Sequence, residues 1–151
     1  MTNIEERNIV QNILGGAGTA LNTWYQLDPG WTIDIPVGEF KLRAETLMRH
    51  FTNAGTAVCS LVLSTATTPA GVNSSTIIMG IRGDSFGTAT EPGRYQNYEM
   101  ELGRYISTGV TAQLFIRPGN ILGASTLSEL ALANNLNGSF AQGVLSAERI
   151  K

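Results

Sequence analysis

Residues 39–48 alternate between charged and mostly apolar side chains, and this alternation restricts the fold more than any other stretch. The charged parity holds Glu39, Lys41, Arg43 and Glu45, and the other parity holds Phe40, Leu42, Ala44, Thr46 and Met48. Successive side chains of a strand point to opposite faces, whereas those of a helix do not. The stretch therefore predicts a half-buried strand whose charged row faces water.

Several other segments have the period or composition of strands. Residues 31–35, 94–106 and 110–117 alternate, residues 57–65 and 76–81 are apolar on both parities, and residues 139–150 predict a closing strand. We predict turns at 28–30, 36–38, 107–109 and 118–119, and loops at 64–76 and 83–93. Residues 126–134 fit a short helix or a strand equally well. Short strands without a βαβ rhythm predict an all-β antiparallel sandwich, and a jelly-roll-like topology is favoured. We expect this sandwich to form a single domain over residues 17–151.

The first sixteen residues predict a short helical arm. Thr2 and Glu5 have the spacing of a capping box, and Gly15-Gly16 would end the helix. An isolated helix of this length is marginal in water, so its apolar stripe must pack on its own sheet or dock on a neighbouring subunit. The stripe consists of Ile4, Ile9, Val10, Ile13 and Leu14.

Composition excludes some partners. The chain of 151 residues has 42% hydrophobic and 15% charged residues and a formal net charge of -2. Globular chains average about 25% charged residues, so we expect a surface rich in small polar residues or covered by other subunits. The acidic balance, without a cluster of Lys and Arg, argues against nucleic acid. There is neither a long apolar run nor a signal-peptide pattern, so we expect no membrane partner and synthesis in a cytoplasm.

No catalytic or ligand-binding motif rises above background, and we expect no enzyme, cofactor or metal. His50 is the only histidine, and Cys59 is the only cysteine and has the surroundings of a core residue. Glu99 and Glu101 share one strand face, which would suit a weaker hypothesis of glycan cleavage. The charged row on residues 39–45 instead favours a cross-strand ladder of ion pairs. Arg82-Gly83-Asp84-Ser85 matches a cell-adhesion tetrapeptide at a predicted strand-to-loop junction, and the same residue types also suit an ordinary turn.

The aromatic residues provide the remaining candidates for contact. Trp31 and Tyr98 share parity with apolar neighbours and are predicted to be buried. Trp24, Tyr95 and Phe115 fall on the wetter parity, which makes them candidates for surface contact with another subunit or a glycan.

Three elements carry a resemblance to a known group of proteins: Trp24-Tyr25-x-Leu27, the Ile35-Pro36-x-Gly38 element before an alternating strand, and the ending on residues 145–150. The chain resembles small jelly-roll structural proteins of tailed-bacteriophage virions, such as head decoration proteins and tail or fibre domains, over residues 19–150. The resemblance implies a virion protein that forms a homo-oligomer, commonly a trimer, and contacts other capsid or tail proteins. It implies no catalytic residue. A receptor-binding or carbohydrate-binding tail domain is the alternative.

Overall fold

The computed structural model describes residues 2–7, 11–15, 22–26, 31–52, 55–87, 93–122, 127–132 and 143–151. These residues form nine strands and one short 3-10 helix, Pro69–Gly71. The strands are β1 (Thr2–Arg7), β2 (Gln11–Gly15), β3 (Tyr25–Gln26), β4 (Thr32–Thr52), β5 (Gly55–Ser64), β6 (Ile77–Gly87), β7 (Gly93–Leu122), β8 (Leu127–Leu132) and β9 (Gly143–Arg149). All of their pairings are antiparallel, and the main order is β1-β9-β4-β7-β5-β6. In addition, β8 pairs with β2 and β4, and β3 pairs with β7.

Two long strands, β4 and β7, pair from Thr32 opposite Gln113 to Phe51 opposite Gly93. Turns were predicted to end strands at 36–38 and 107–109. Both segments instead lie inside β4 and β7, so these predicted strand ends are wrong. They face each other across the pair, so both strands change course at the same place. Gly38 and Gly109 have φ values of 145° and 88°, a region that favours glycine.

The facing of the side chains reverses at this place. Before it, Ile33 and Ile35 of β4 point into the core, and after it Phe40 and Leu42 do. Ser107 fixes the local backbone because its Oγ donates to the Ile35 carbonyl at 2.9 Å. The β4–β7 pair therefore continues from one layer of the molecule into the other, and the sheet folds over a common core.

The core lies between the layer of β9, β4 after residue 39 and β7 before residue 106, and the layer of β5, β6 and β7 after residue 109. Its largest fully buried side chains include Trp31, Phe40, Leu61, Tyr98 and Ile116. Tyr98 of β7 reaches across to β6, where a methyl group placed on Gly83 would lie 2.6 Å from the Tyr98 hydroxyl oxygen. The predicted all-β antiparallel sandwich and the predicted burial of Trp31 and Tyr98 are confirmed.

A bulge in β7 changes which residues face outward. Phe40 pairs with Tyr105 and Leu42 with Leu102, so two β7 residues, Gly103 and Arg104, oppose Lys41 alone. Strict alternation from Tyr98 predicts that Ile106 is buried, but the extra residue reverses its facing. Ile106 is 63% exposed, and the prediction is wrong at this position.

Several predicted boundaries are corrected by strand pairing. Residues 118–119 continue β7 and pair with β5. β6 extends into the loop predicted at 83–93 and ends at Gly87. Residues 127–132 form a strand, which decides between the two alternatives for that segment. The predicted closing strand is confirmed at Gly143–Arg149, and the loop after β5 is confirmed with the 3-10 helix inside it.

The N-terminal helix is also wrong, because the described residues of this segment are β1 and β2. β1 pairs with β9 and β2 pairs with β8, so hydrogen bonds to neighbouring strands outweigh the local capping signal. Ile4 lies in β1 opposite Ser146, and Ile13 and Leu14 lie in β2 at a register shift. Ile9 and Val10 lie outside the described residues. Docking of this segment on another subunit stays a prediction.

Candidate interaction surface

The outward side of β9, β4 and β7 carries a ladder of charged side chains, which we call the ladder face. It consists of Glu39, Lys41, Arg43, Glu45, Asn97, Glu99, Glu101, Arg104 and Glu148. At one end Arg104 binds Glu39 through two hydrogen bonds, Nε to Oε2 and Nη2 to Oε1, each 3.0 Å long. This bidentate pair lowers the pKa of the Glu39 carboxyl and raises that of the Arg104 guanidinium.

The remaining rungs follow along the same two strands. Lys41 Nζ lies 2.7 Å from Glu101 Oε1, and this contact raises the pKa of Lys41 and lowers that of Glu101. Arg43 contacts Glu45 on its own strand and lies 3.5 Å, Nε to Oε1, from Glu99 across the pair. The predicted ladder of cross-strand ion pairs is confirmed, and both Glu99 and Glu101 belong to it.

Carboxylates outnumber cations on the ladder face. Lys41 has Glu101 on one side and Glu148, its register partner in β9, on the other. Five carboxylates stand against three cations, an excess of two negative charges; the carboxylates are Glu39, Glu45, Glu99, Glu101 and Glu148, and the cations are Lys41, Arg43 and Arg104. These side chains are partly exposed, so their pairs contribute little to stability but define a negative surface.

Three exposed apolar side chains stand at one end of the ladder face, where β4 and β7 change course, and we call this group the apolar patch. It consists of Val37, Ile106 and Ile150, which are 69%, 63% and 49% exposed. Ile106 is the β7 register partner of Glu39, and on the other side of Glu39 the Ile150 N–H donates to its carbonyl at 2.8 Å. Sequence alternation missed Ile106 because of the bulge, although Gly103 within the strand was a signal for one.

Arg149 holds the chain end against this corner. Its Nη1 donates to the Val37 carbonyl at 3.1 Å and to the Lys151 carbonyl at 3.3 Å, and its guanidinium lies 4.7 Å from the centre of the Phe40 ring. A methyl group on Gly38 would meet the end of the Arg149 side chain and lie 3.0 Å from the Lys151 carbonyl oxygen, and the φ of 145° at this position favours glycine. The backbone of Glu39 also donates to Lys151 at 3.0 Å. Residues 149–151 thereby fix the position of the apolar patch.

The predicted contact residue Phe115 is not on the surface. It is fully buried in a second cluster with Val62, Ala66 and Val72, on the outer side of β5 and β7. Residues 65–76 cover this side, and the Gln113 side chain donates to the Ala66 carbonyl at 2.7 Å. The parity of Phe115 was assigned correctly, but sequence alternation does not show that a loop covers the outer side.

The other two predicted aromatic contacts have different outcomes. Trp24 is half-buried against the second cluster, and the Arg117 guanidinium lies 5.8 Å from the centre of its ring. Tyr95 pairs with Arg49 in the register of β7 with β4, and its side chain lies outside the described residues.

Two exposed arginines lie on the same outer side as Trp24. Ser60 of β5 pairs with Arg82 of β6 and with Arg117 of β7, so the three residues form one row across three strands, which we call the arginine row. The adhesion tetrapeptide is thus within a strand and not at a strand-to-loop junction. Its glycine is buried under Tyr98, which contradicts an adhesion loop.

Other candidate groups are accounted for by their surroundings. Cys59 is fully buried, and burial raises the pKa of its thiol to about 12, so it behaves as the predicted core residue. His50 lies in β4 opposite Arg94 and Leu130. Within the described side chains, His, Cys, Asp and Glu form no cluster that would hold a metal. Across the described residues, the model has no helix with the length and hydropathy of a membrane span.

Comparison with known proteins gives only distant structural similarities. No family model and no curated protein matches the chain. Among solved structures, it is similar to the infectious bursal disease virus VP2 subviral particle, with 12% identity and a TM-score of 0.45 over 99% of this chain and 37% of that chain.

Structures of two strains of the same virus are similar at the same level. The Gt strain gives 11% identity and a TM-score of 0.42 over 99% of this chain and 38% of that one, and the Gx strain gives 15% and 0.41 over 99% and 37%. The chain spans less than two fifths of the length of these viral chains.

Proposed function

We propose that the chain is a non-enzymatic structural protein of a virus particle, which acts by docking on other copies of itself and on other particle proteins. The observation that carries the proposal is the apolar patch, where Val37, Ile106 and Ile150 are exposed close to the place at which β4 and β7 change course. Exposed apolar side chains grouped in this way mark interaction sites. The low content of charged residues supports extensive coverage of the surface.

The resemblance to small jelly-roll proteins of phage virions supplies the finer part of the proposal. It favours a capsid decoration protein or a tail or fibre component that assembles as a homotrimer. The patch alone is much smaller than the roughly 800 Å² per partner of a stable interface, so it would form the centre of a larger contact. Each square ångström of apolar surface covered there contributes about 25 cal/mol.

Two measurements test this proposal. Light scattering of the purified chain is expected to give the mass of an oligomer, and Ile106→Ser is expected to lower that mass. Thr67→Ala, at an exposed loop position, is the matched control and should leave it unchanged. In a density gradient, the protein is expected to sediment with purified virus particles. Its absence from the particles would refute the proposed function.

A receptor-binding or carbohydrate-binding tail domain is the second candidate, and half-buried Trp24 beside Arg117 favours it. The part of the Trp24 ring that remains exposed offers a flat apolar surface with a polar edge, on which a sugar ring stacks. On a glycan array, Trp24→Ala should abolish binding while the oligomeric mass persists. No binding by the wild-type protein would eliminate this candidate.

A further inference from the structure

We infer that the outer edge of β6 pairs with the same edge of a second copy, as two antiparallel strands about a two-fold axis. This inference rests on the proposed self-association and names the segment through which two copies meet. It follows from the place of β6 in the sheet, from its length and composition, and from its register.

β6 is the last strand at one end of the main order β1-β9-β4-β7-β5-β6. One side of β6 pairs with β5, and among the described residues no strand pairs with its other side, which we call the β6 edge. In antiparallel sheets the backbone N–H and C=O groups of a strand point alternately to its two neighbours, so about half of those of β6 point to the β6 edge. A row of such groups is a template for a further strand.

The composition of β6 does not protect this edge. Edge strands of natural sheets are usually short, charged, or interrupted by proline or a bulge, which prevents pairing between molecules. At the other end of the order, β1 has six residues, of which three are charged. β6 has eleven residues without proline or lysine, and its charged residues are Arg82 and Asp84. Its register with β5 shifts between Ile77 and Met79, and residues 79–87 then pair regularly.

The sequence of β6 favours a second β6 as the partner. Residues 79–87 are centred on Gly83, and an antiparallel pair centred there sets Arg82 of each copy opposite Asp84 of the other. Opposite charges directly across an antiparallel pair are favourable, whereas a pair centred on Arg82 would set two arginines opposite each other. The extent of the regular strand and the order of its charges therefore select the same register.

Backbone hydrogen bonds would carry this contact, so it does not depend on the interaction that Arg82 already makes within its own chain. The contact is isologous and closes as a dimer with one continuous sheet. It uses no residue of the apolar patch, so it is additional to any contact made there. Where the patch joins three copies, the β6 edge would link one trimer to another.

Amide hydrogen exchange at several protein concentrations tests the edge contact. Amides of residues 79–87 should exchange more slowly at concentrations where light scattering shows the associated protein, whereas those of β1 should exchange equally fast at all concentrations. Equal exchange of residues 79–87 in the associated and dissociated protein would refute the edge contact and leave self-association standing. A chain that stays monomeric would refute both, and presence in purified particles tests the proposed function separately.

Exchange of the two charges tests the register. Arg82→Asp and, separately, Asp84→Arg set like charges opposite each other at two places in the contact and should raise the dissociation constant by about tenfold. The double variant with both changes restores opposite charges and should return the dissociation constant to that of the wild type. Glu148→Arg, which reverses an exposed charge on the other layer, is the matched control and should leave it unchanged.

Circular dichroism checks that each variant folds. The neutral variant Arg82→Gln, at an exposed position, keeps the test valid if a reversed variant fails to fold, and it should raise the dissociation constant by less than Arg82→Asp. A double variant that associates as weakly as the two single variants would refute the pairing of Arg82 with Asp84 of the second copy.

Discussion

Gly83→Ala should destabilise the protein because the new methyl group meets the Tyr98 ring. The Cβ position lies 2.6 Å from the hydroxyl oxygen and 2.7 Å from Cε1 and Cζ, distances that require one of the groups to move. Tyr98 is 1% exposed between the two layers, so the ring has no space to turn away. Overpacking a core of this kind costs about 1–3 kcal/mol.

The substitution also has a small favourable effect, because alanine loses less backbone entropy on folding than glycine, about 0.4–1 kcal/mol. We therefore expect a net loss of about 1 kcal/mol in the free energy of unfolding. For a domain of this size this corresponds to a fall of about 2–4 °C in Tm. Urea unfolding monitored by circular dichroism, together with thermal scans, measures both quantities.

Gly103→Ala is the matched control, since a methyl group there would have no neighbour within 4 Å and Gly103 is exposed. Its free energy of unfolding should be equal to that of the wild type or higher by up to about 1 kcal/mol, because only the entropic gain applies there. In a Tyr98→Leu background, Gly83→Ala should cost much less than in the wild type, because the ring that it meets is gone. If Gly83→Ala were as stable as Gly103→Ala, the packing of the two layers described above would be wrong.

Three further predictions concern the corner, the core thiol and the ladder face. Gly38→Ala should lower Tm because a side chain at φ 145° is strained and collides with Arg149; unfolding scans will show this, and an unchanged Tm would contradict the close approach. Cys59 should resist alkylation in mildly alkaline buffer until denaturant is added, because burial raises the pKa of its thiol to about 12. Thiol titration measures this, and equal alkylation rates with and without denaturant would disprove its burial. Glu39→Gln should lower Tm more at neutral pH than in acid. Arg104 lowers the pKa of Glu39 in the folded protein, so the pair stabilises the fold above the unfolded-state pKa, and this contribution is lost as pH falls through the folded-state pKa. A Tm difference that is constant with pH would exclude that contribution.

Local pattern was sufficient wherever a strand stays regular. The alternation at residues 39–46 gave the inward and outward rows correctly, and its charged row predicted the ladder of ion pairs. The closing strand was equally regular, and Leu145 and Ala147 are fully buried as their parity implies. In these segments each side chain's facing follows from the period of two alone.

Sequence alternation gave the wrong burial where contact with a second segment decides whether a side chain is exposed. The bulge at Gly103 and Arg104 exposes Ile106, and a loop buries Phe115 on the side that parity marked as wet. Both the position of a bulge and the presence of a covering loop depend on the partner strand or on distant residues, so the residue's own neighbours in sequence do not reveal them.

The sequence by itself determined the all-β class, the charged row of residues 39–45 and the inert character of Cys59, because these follow from side-chain period and residue type. Only the tertiary structure decided that residues 2–7 and 11–15 are strands, that the turn signals around Pro36 and Gly109 face each other inside two long strands, and that Ile106 and Ile150 lie on either side of Glu39. The reason is the same in each case: pairing between distant strands satisfies backbone hydrogen bonds and sets the register, and local sequence does not specify the partner.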